Sequence, residues 1–240
     1  MIEIKLVGVG CSKSWKMEDR LIQLSRELGI PVQINKVMDL DSIISLGLKT
    51  IPVLVYGDEV WDFKEIMMEA IIELSGGKYL FKQLSPFNKR QVYDLYCQCD
   101  DYFYLAEGKP ADGSNVKELF EELPPGKQIH DKEIYGLFHQ GEMLGVVDLV
   151  KDFPEKDEWI IGLLLLDPSV RNKGLGSAMH KVILEDALER GAKKLRVGVL
   201  EQNNQGFNYW EKLGYNEISR KEKRRFGDKE SVVIVMNYLF

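Results

Sequence analysis

One stretch constrains this chain more than any other: Leu163-Leu164-Leu165-Leu166-Asp167-Pro168-Ser169-Val170-Arg171-Asn172-Lys173-Gly174-Leu175-Gly176-Ser177. From Trp159 to Leu166 no polar residue interrupts an apolar run of strand length, which suits a strand covered on both faces. Pro168 removes a backbone donor and ends the pairing. Met179, Val182, Ile183, Ala187 and Leu188 then recur at helical spacing. The reading is a buried strand, a tight loop and the first turn of a helix. That first turn leaves N–H groups unpaired at the positive end of the helix dipole. Gly174 and Gly176 have no side chains to hold an anion off the backbone, and Arg171 and Lys173 add charge beside it. A nucleotide-like diphosphate is the expected ligand, although an ordinary strand-to-helix turn with solvated cations fits the same residues.

A second stretch, Asn203-Asn204-Gln205-Gly206-Phe207-Asn208-Tyr209-Trp210-Glu211-Lys212-Leu213-Gly214-Tyr215, lies downstream. Together the two resemble the GNAT acetyltransferase superfamily. The first is similar to its acyl-CoA loop, Arg/Gln-x-x-Gly-x-Gly/Ala after a strand ending near a proline, which Arg171, Gly174 and Gly176 match. The second is similar to its motif of an Asn before a helix that carries an aromatic pair and a Lys-x-Gly-aromatic ending. The resemblance covers roughly the last two-thirds of the chain and implies acetyl-CoA as cosubstrate. It implies that the backbone of Leu164, Leu165 and Leu166 pairs with the pantetheine arm, as an added strand would. It further implies that Arg171, Asn172, Lys173, Gly174, Leu175, Gly176 and Ser177 surround the diphosphate, with Asn203 and Trp210 also at the cofactor.

Such an enzyme binds acyl-CoA and an amine side by side, and the amine must be neutral to attack the thioester. The leaving thiolate often takes a proton from a Tyr in the second motif. Here Trp210 holds that position, and indole cannot donate the proton; Tyr209 is adjacent but projects about 100° away on a helix. Tyr209 or another group acts, or the thiolate leaves unaided. Candidate bases are Asp148, which interrupts Val146-Val147-Asp148-Leu149-Val150, and Glu158, which begins its strand and is expected to be exposed. Pairing with a cation explains Asp148 equally well. His130, His139 and His180 read as surface or helix-face residues. Asp101-Tyr102-Phe103-Tyr104 and Glu107-Gly108 fall where such enzymes place their acceptor loop, and core packing accounts for these aromatics too.

The preceding segment alternates strands and helices. Strands are expected at Ile2–Val9, Val32–Val37 and Thr50–Tyr56, with a hairpin through Gly57-Asp58. Helices are expected at Trp15–Leu28, Asp39–Leu48 and Lys64–Leu74, and Ser75-Gly76-Gly77-Lys78 as a linker. This order resembles the thioredoxin fold. Cys11 lies where that fold's redox motif opens, and Thr50-Ile51-Pro52 is similar to its Thr-x-Pro. The motif reads Cys11-Ser12-Lys13-Ser14, so the second redox thiol is replaced by a hydroxyl. Cys11 is either a one-thiol redox centre, its thiolate favoured by the helix N-terminus and Lys13, or an inert residue of a binding module.

The expected architecture is therefore α/β (α+β). A thioredoxin-like domain spans 1–76 and a GNAT domain with a mixed, mostly antiparallel sheet spans 77–240. The expected activity is acetyl transfer from acetyl-CoA to a primary amine on a small molecule or peptide. A non-catalytic acyl-CoA-binding or thiol-sensing protein using Cys11 is the alternative. A net charge of −6 argues against nucleic acid, and no run has the length of a membrane span. Three cysteines are too few for a disulfide framework and point to a reducing, cytoplasmic setting. Cys97 and Cys99 point to different faces of one helix, so no shared metal is expected. Oligomeric state is left open, a homodimer included.

Overall fold

The computed structural model of the chain describes residues 2–48, 50–62 and 69–240, which divide into two compact units, Met1–Met68 and Glu69–Phe240. The first unit runs β1 (Ile2–Val7), α1 (Ser12–Leu28), β2 (Val32–Val37), α2 (Leu40–Ser45), β3 (Val53–Tyr56) and β4 (Glu59–Asp62). Its sheet has the order β2-β1-β3-β4, with β1 parallel to β2 and the other pairs antiparallel. The mixed sheet follows from the sequence. An α-helix crossover joins parallel strands, whereas Gly57, at φ 60°, turns β3 tightly back into β4. Leu6, Met17, Leu21 and Leu54 form the core between α1 and the sheet. Asp39 caps α2 by accepting from the Ser42 N–H at 2.8 Å. The Ile51–Pro52 peptide bond is cis.

The expected helix over Lys64–Leu74 is corrected in its second half. Glu69–Leu74 is a strand, β5, paired with β6 (Gly77–Gln83), and 63–68 lies outside the described residues. Ser75-Gly76 is the hairpin turn between them rather than a linker. Both residues have positive φ (51° and 79°), the geometry that matches strand twist in a two-residue hairpin. The hairpin thus belongs to the second unit, which starts eight residues earlier than the sequence suggests.

After β6 come α3 (Lys89–Gln98), α4 (Asp100–Ala106) and α5 (Gly113–Glu121). Next are β7 (Lys132–His139), β8 (Glu142–Val150), β9 (Glu158–Leu166), α6 (Leu175–Glu189), β10 (Lys194–Leu200) and α7 (Asn204–Lys212). β11 (Asn216–Arg220), the short hairpin of β12 (Arg224–Phe226) and β13 (Lys229–Ser231), and β14 (Val233–Leu239) complete the chain. The one helix expected to carry both Cys97 and Cys99 is broken at Cys99, which separates α3 from α4. Eight strands form one sheet, ordered β11-β14-β10-β9-β8-β7-β6-β5, in which β9 and β10 are the parallel pair. α3, α4 and α5 pack on this sheet through Val92, Leu95, Phe103, Leu119 and Phe120 against Ile134, Val146 and Leu165. The described residues contain no helix long and apolar enough to cross a membrane.

Candidate active site

The parallel strands β9 and β10 are paired only from Glu158↔Lys194 to Ile161↔Val197. Beyond that point β9 continues to Leu166 and β10 to Leu200, and the two part. A cleft of about 730 Å³ opens there, lined by Leu164 and Leu166 of β9, the loop before α6, and α7. Alternation along β9 decides which side chains face it. Leu164 and Leu166 line the cleft, whereas Leu165 packs in the core under α3 to α5.

The loop beneath the cleft is built by backbone conformation. Asn172 has φ 60°, and Gly174, the residue capping α6, has φ 86°. A Cβ on Gly176 would lie 3.1 Å from the Tyr209 hydroxyl, so glycine keeps the first turn of α6 open toward the cleft. Gly174, Gly176 and Ser177 all line the cleft, and the first-turn N–H groups have no partners within the helix. Leu175 is buried core and Lys173 is exposed outside the cleft lining.

Arg171 behaves differently from the expectation of a free cation. Its Nε donates to the Leu166 carbonyl at 2.8 Å, and its two terminal nitrogens donate to both oxygens of Asp101, one at 3.1 Å. That fork holds the Asp101 carboxyl below its usual range and ties the loop to α4. The buried Cys99 thiol also donates to the Leu166 carbonyl, at 3.4 Å, so this oxygen is already satisfied.

Asn203 caps α7, its Oδ1 accepting from the Gly206 N–H at 2.9 Å. Gln205, Tyr209 and Lys212 follow at i, i+4 and i+7 and line the cleft, as does Trp210. Helical spacing from Tyr209, four residues back and three forward, could have found Gln205 and Lys212, which the motif pattern alone did not. Trp210 is 8% exposed and packs edge-on against His180, Tyr209 and Tyr215. The 100° offset does not remove Tyr209 from the cleft. Its hydroxyl ends beside Gly176, buried and without a hydrogen-bond partner, and burial pushes its pKa well up. His180 is not a surface residue. It is buried, its ring Nε2 lies 3.0 Å from the Tyr215 hydroxyl, and burial lowers its pKa to about 4.

A second cavity, of about 390 Å³, lies under α4 and α5. Tyr102 lines both cavities, and the adjacent residues Leu163 and Leu164 of β9 line one each. Asp148 lines the second. Its Oδ2 pairs with Lys132 at 3.2 Å, while its Oδ1 is buried with no partner. Burial raises its pKa against the opposing pull of Lys132. A bulge creates its space. The register slips between Asp148↔Leu163 and Leu149↔Ile161, leaving Gly162 extra, and a Cβ on Gly162 would sit 2.8 Å from Asp148 Oδ2. Phe103 and Glu107 line this cavity as well.

Glu158 does not share this placement, and the expectation of exposure is corrected. It is 1% exposed and hydrogen-bonded by Arg196, with Lys194 at 3.6 Å. Lys194 and Arg196 are two apart on β10, so one face of that strand presents both cations to one buried carboxylate. Glu158 lines neither cavity.

In the first unit Cys11 precedes α1, and its thiol lies 3.6 Å from the Ser14 hydroxyl. That side-chain contact and the Ser14 backbone N–H lower the thiol's pKa. Pro52 stands across Gly8 from Ser14, since a Cβ on Gly8 would meet Ser14 Oγ at 2.9 Å and Pro52 Cβ at 3.0 Å. All three cysteines are free. No group of three or more His, Cys, Asp or Glu placed to hold a metal occurs among the described residues.

Residues 89–215, just over half the chain, match the model of the acetyltransferase (GNAT) family. The chain belongs to that family. Residues 2–71 match a thioredoxin domain model. Among GNAT relatives, the uncharacterized N-acetyltransferase YobR of Bacillus subtilis is 24% identical over 128 residues, which is 52% of this chain and 47% of that protein. The thialysine N-epsilon-acetyltransferase of Bos taurus is 30% identical over 59 residues, 25% of this chain and 35% of that one. The chain spans less than half the length of the curated acetyltransferases it matches. In fold, the second unit is similar to the GNAT domain of S. lividans PAT, with a TM-score of 0.54 and 21% identity over 72% of this chain and 97% of that one.

Proposed function

We propose that this GNAT-family chain transfers an acetyl group from acetyl-CoA to a primary amine. The observation that carries the reading is the parting of β9 and β10 directly above the open first turn of α6. The cleft offers an unpaired strand edge for the amide-bearing pantetheine arm and unpaired N–H groups for the diphosphate. Arg171 lines the cleft with its guanidinium committed to Asp101 and the Leu166 carbonyl, and so fixes the loop rather than acting as the diphosphate's cation. The Leu166 carbonyl, already taken, leaves Leu164 as the β9 residue best placed to pair with the arm.

Donor and acceptor meet at the gap beyond Ile161, where β9 turns one side chain to each cavity. The unpartnered Oδ1 of Asp148 takes the proton from the attacking nitrogen, since burial makes this carboxylate more basic than an exposed one. As the C–N bond forms, the thioester oxygen gains charge that strand-edge N–H groups stabilise. When the C–S bond breaks, the Tyr209 hydroxyl donates its proton to the sulfur and regains one from solvent. Its raised pKa keeps it protonated until then. Trp210 packs behind Tyr209 and orients it. Glu158 holds β9 to β10 below the parting point and takes no part in proton transfer.

The test is CoA release, read with a thiol reagent, on mixing the protein and acetyl-CoA with primary amines. Amine-dependent release that Tyr209→Phe slows supports the reading. Acetyl-CoA hydrolysis at one rate whatever amine is added contradicts it.

A further inference from the structure

The second cavity carries more information than the presence of an amine site. Its lining includes Glu107, Glu118, Glu122 and Asp148, and a single basic residue, Lys132. These carboxylates come from the residue that ends α4, from α5, from the segment after α5 and from β8, so the fold and not a local run gathers them. Lys132 is already committed. Its Nζ pairs with Asp148 at 3.2 Å, donates to the Glu122 carbonyl at 2.9 Å, and its side chain is 4% exposed. One lysine neutralises one carboxylate, and three negative charges remain facing about 390 Å³.

Glu118 and Glu122 are exposed, and two features beyond them mark the cavity as a built site. Asp148 Oδ1 is fully buried in the lining yet accepts no hydrogen bond, a condition that a bound donor relieves. Glu107 is held from two sides: its Oε1 accepts from the buried Asn115 Nδ2 at 2.8 Å, and its carbonyl accepts from the Asp228 N–H at 2.7 Å. Tyr96, Tyr102 and Phe103 supply apolar and aromatic wall between the carboxylates, suited to methylenes and to cations against ring faces.

Resting on the reading of this chain as an acetyl-CoA-dependent amine acetyltransferase, we infer that its acceptor is an aliphatic diamine or polyamine. One nitrogen reacts at the gap in the sheet beside Asp148. A second, still protonated, is held by Glu118 and Glu122, with Glu107 beside them. A free amino acid is disfavoured because its carboxylate meets three carboxylates, and the one lysine present is taken. Monoamines lack the charge that these glutamates hold.

The experiment compares kcat/KM for putrescine, spermidine, butylamine and thialysine at fixed acetyl-CoA, in the full chain and in Glu118→Gln/Glu122→Gln. Both glutamates are exposed, so the double variant is expected to fold; an unchanged rise of melting temperature with acetyl-CoA checks this. The inference expects putrescine or spermidine to exceed butylamine and thialysine by roughly tenfold, about 1.4 kcal/mol. It expects added salt to erode that margin and the double variant to erase it. Equal use of butylamine and putrescine, preference for thialysine, or a double variant that keeps the parent's preference overturns the inference. If no amine releases CoA while acetyl-CoA still raises the melting temperature, the inference fails and acetyl-CoA binding stands. If acetyl-CoA produces no rise, both fall.

Discussion

Replacing Tyr209 by Phe separates stability from function at one atom. The hydroxyl is buried beside Gly176 with no hydrogen-bond partner. An unsatisfied buried polar group costs about 1–3 kcal/mol. Tyr209 as a whole is only half-buried and lines the cleft, so the low end applies, near 1 kcal/mol. Phe keeps the ring contact with Trp210, at 4.9 Å between centroids, and removes only the orphan oxygen. For a unit of this size 1 kcal/mol raises Tm by about 2–4 °C. Catalysis moves the other way. A general acid contributes about 10²–10⁴-fold. A thiolate, with an ordinary pKa of about 8.5, is a good leaving group, so the low end is expected. Calorimetry without ligand and CoA release at saturating amine therefore give opposite signs for one substitution: higher Tm, lower kcat. A variant that melts below the parent would show that the hydroxyl is satisfied in the folded state. An unchanged kcat would remove Tyr209 from the proton path.

Three further outcomes follow. Asp148→Asn should abolish the acid limb of the kcat/KM profile, which lies above the range of an ordinary aspartate because burial raises this carboxyl; a pH–rate profile with the limb intact contradicts that role. Glu133 is buried, yet bonds from Arg190 at 2.7 and 2.9 Å and Lys151 at 3.0 Å outweigh burial and hold its pKa at about 2, down from 4.5. A depressed carboxylate stabilises the fold above its unfolded pKa, so up to about 3 kcal/mol is lost as pH falls from 4.5 toward 2. Urea midpoints should drop across that window, and Glu133→Gln should flatten the drop; an equal drop in the variant refutes it. Cys11, with its lowered pKa, should be alkylated by iodoacetamide faster than the exposed Cys97, and Cys11→Ser should leave CoA release at the parent rate. Mass spectrometry of the labelled peptides and the thiol assay read the two, and loss of CoA release in Cys11→Ser would tie the thiol to the transfer.

The elements that carried through from sequence to structure are those specified locally. The apolar run into Pro168 and the two glycines at the start of α6 encode a strand, its end and an open helix start within nineteen residues, Trp159–Ser177. Asn203 is legible for the same reason, because a cap and its helix are neighbours in the chain. What escaped depends on partners distant in sequence. Glu158 reads as an exposed strand start until Lys194 and Arg196 on β10 meet it. Glu69–Leu74 carries no strict alternation, and only its pairing with β6 makes it a strand. The interruption at Cys99 follows no Gly or Pro signal. The acidic cavity is spread over positions 107, 118, 122 and 148, and no window of sequence shows four elements converging. Arg171 stands out in the sequence beside the two glycines, but its pairing with Asp101 is not legible there, because Asp101 lies seventy residues upstream.

The most direct test of the central claim is the melting temperature with and without acetyl-CoA, in the parent and in Gly176→Trp, whose indole would fill the first turn of α6 beside Tyr209. Binding to the native state alone stabilises the parent by about 2.7 kcal/mol at a hundredfold excess over Kd. The account predicts a rise in the parent and none in Gly176→Trp, which otherwise melts as a folded protein. An equal rise in both would place acetyl-CoA outside the parted strands and contradict the site.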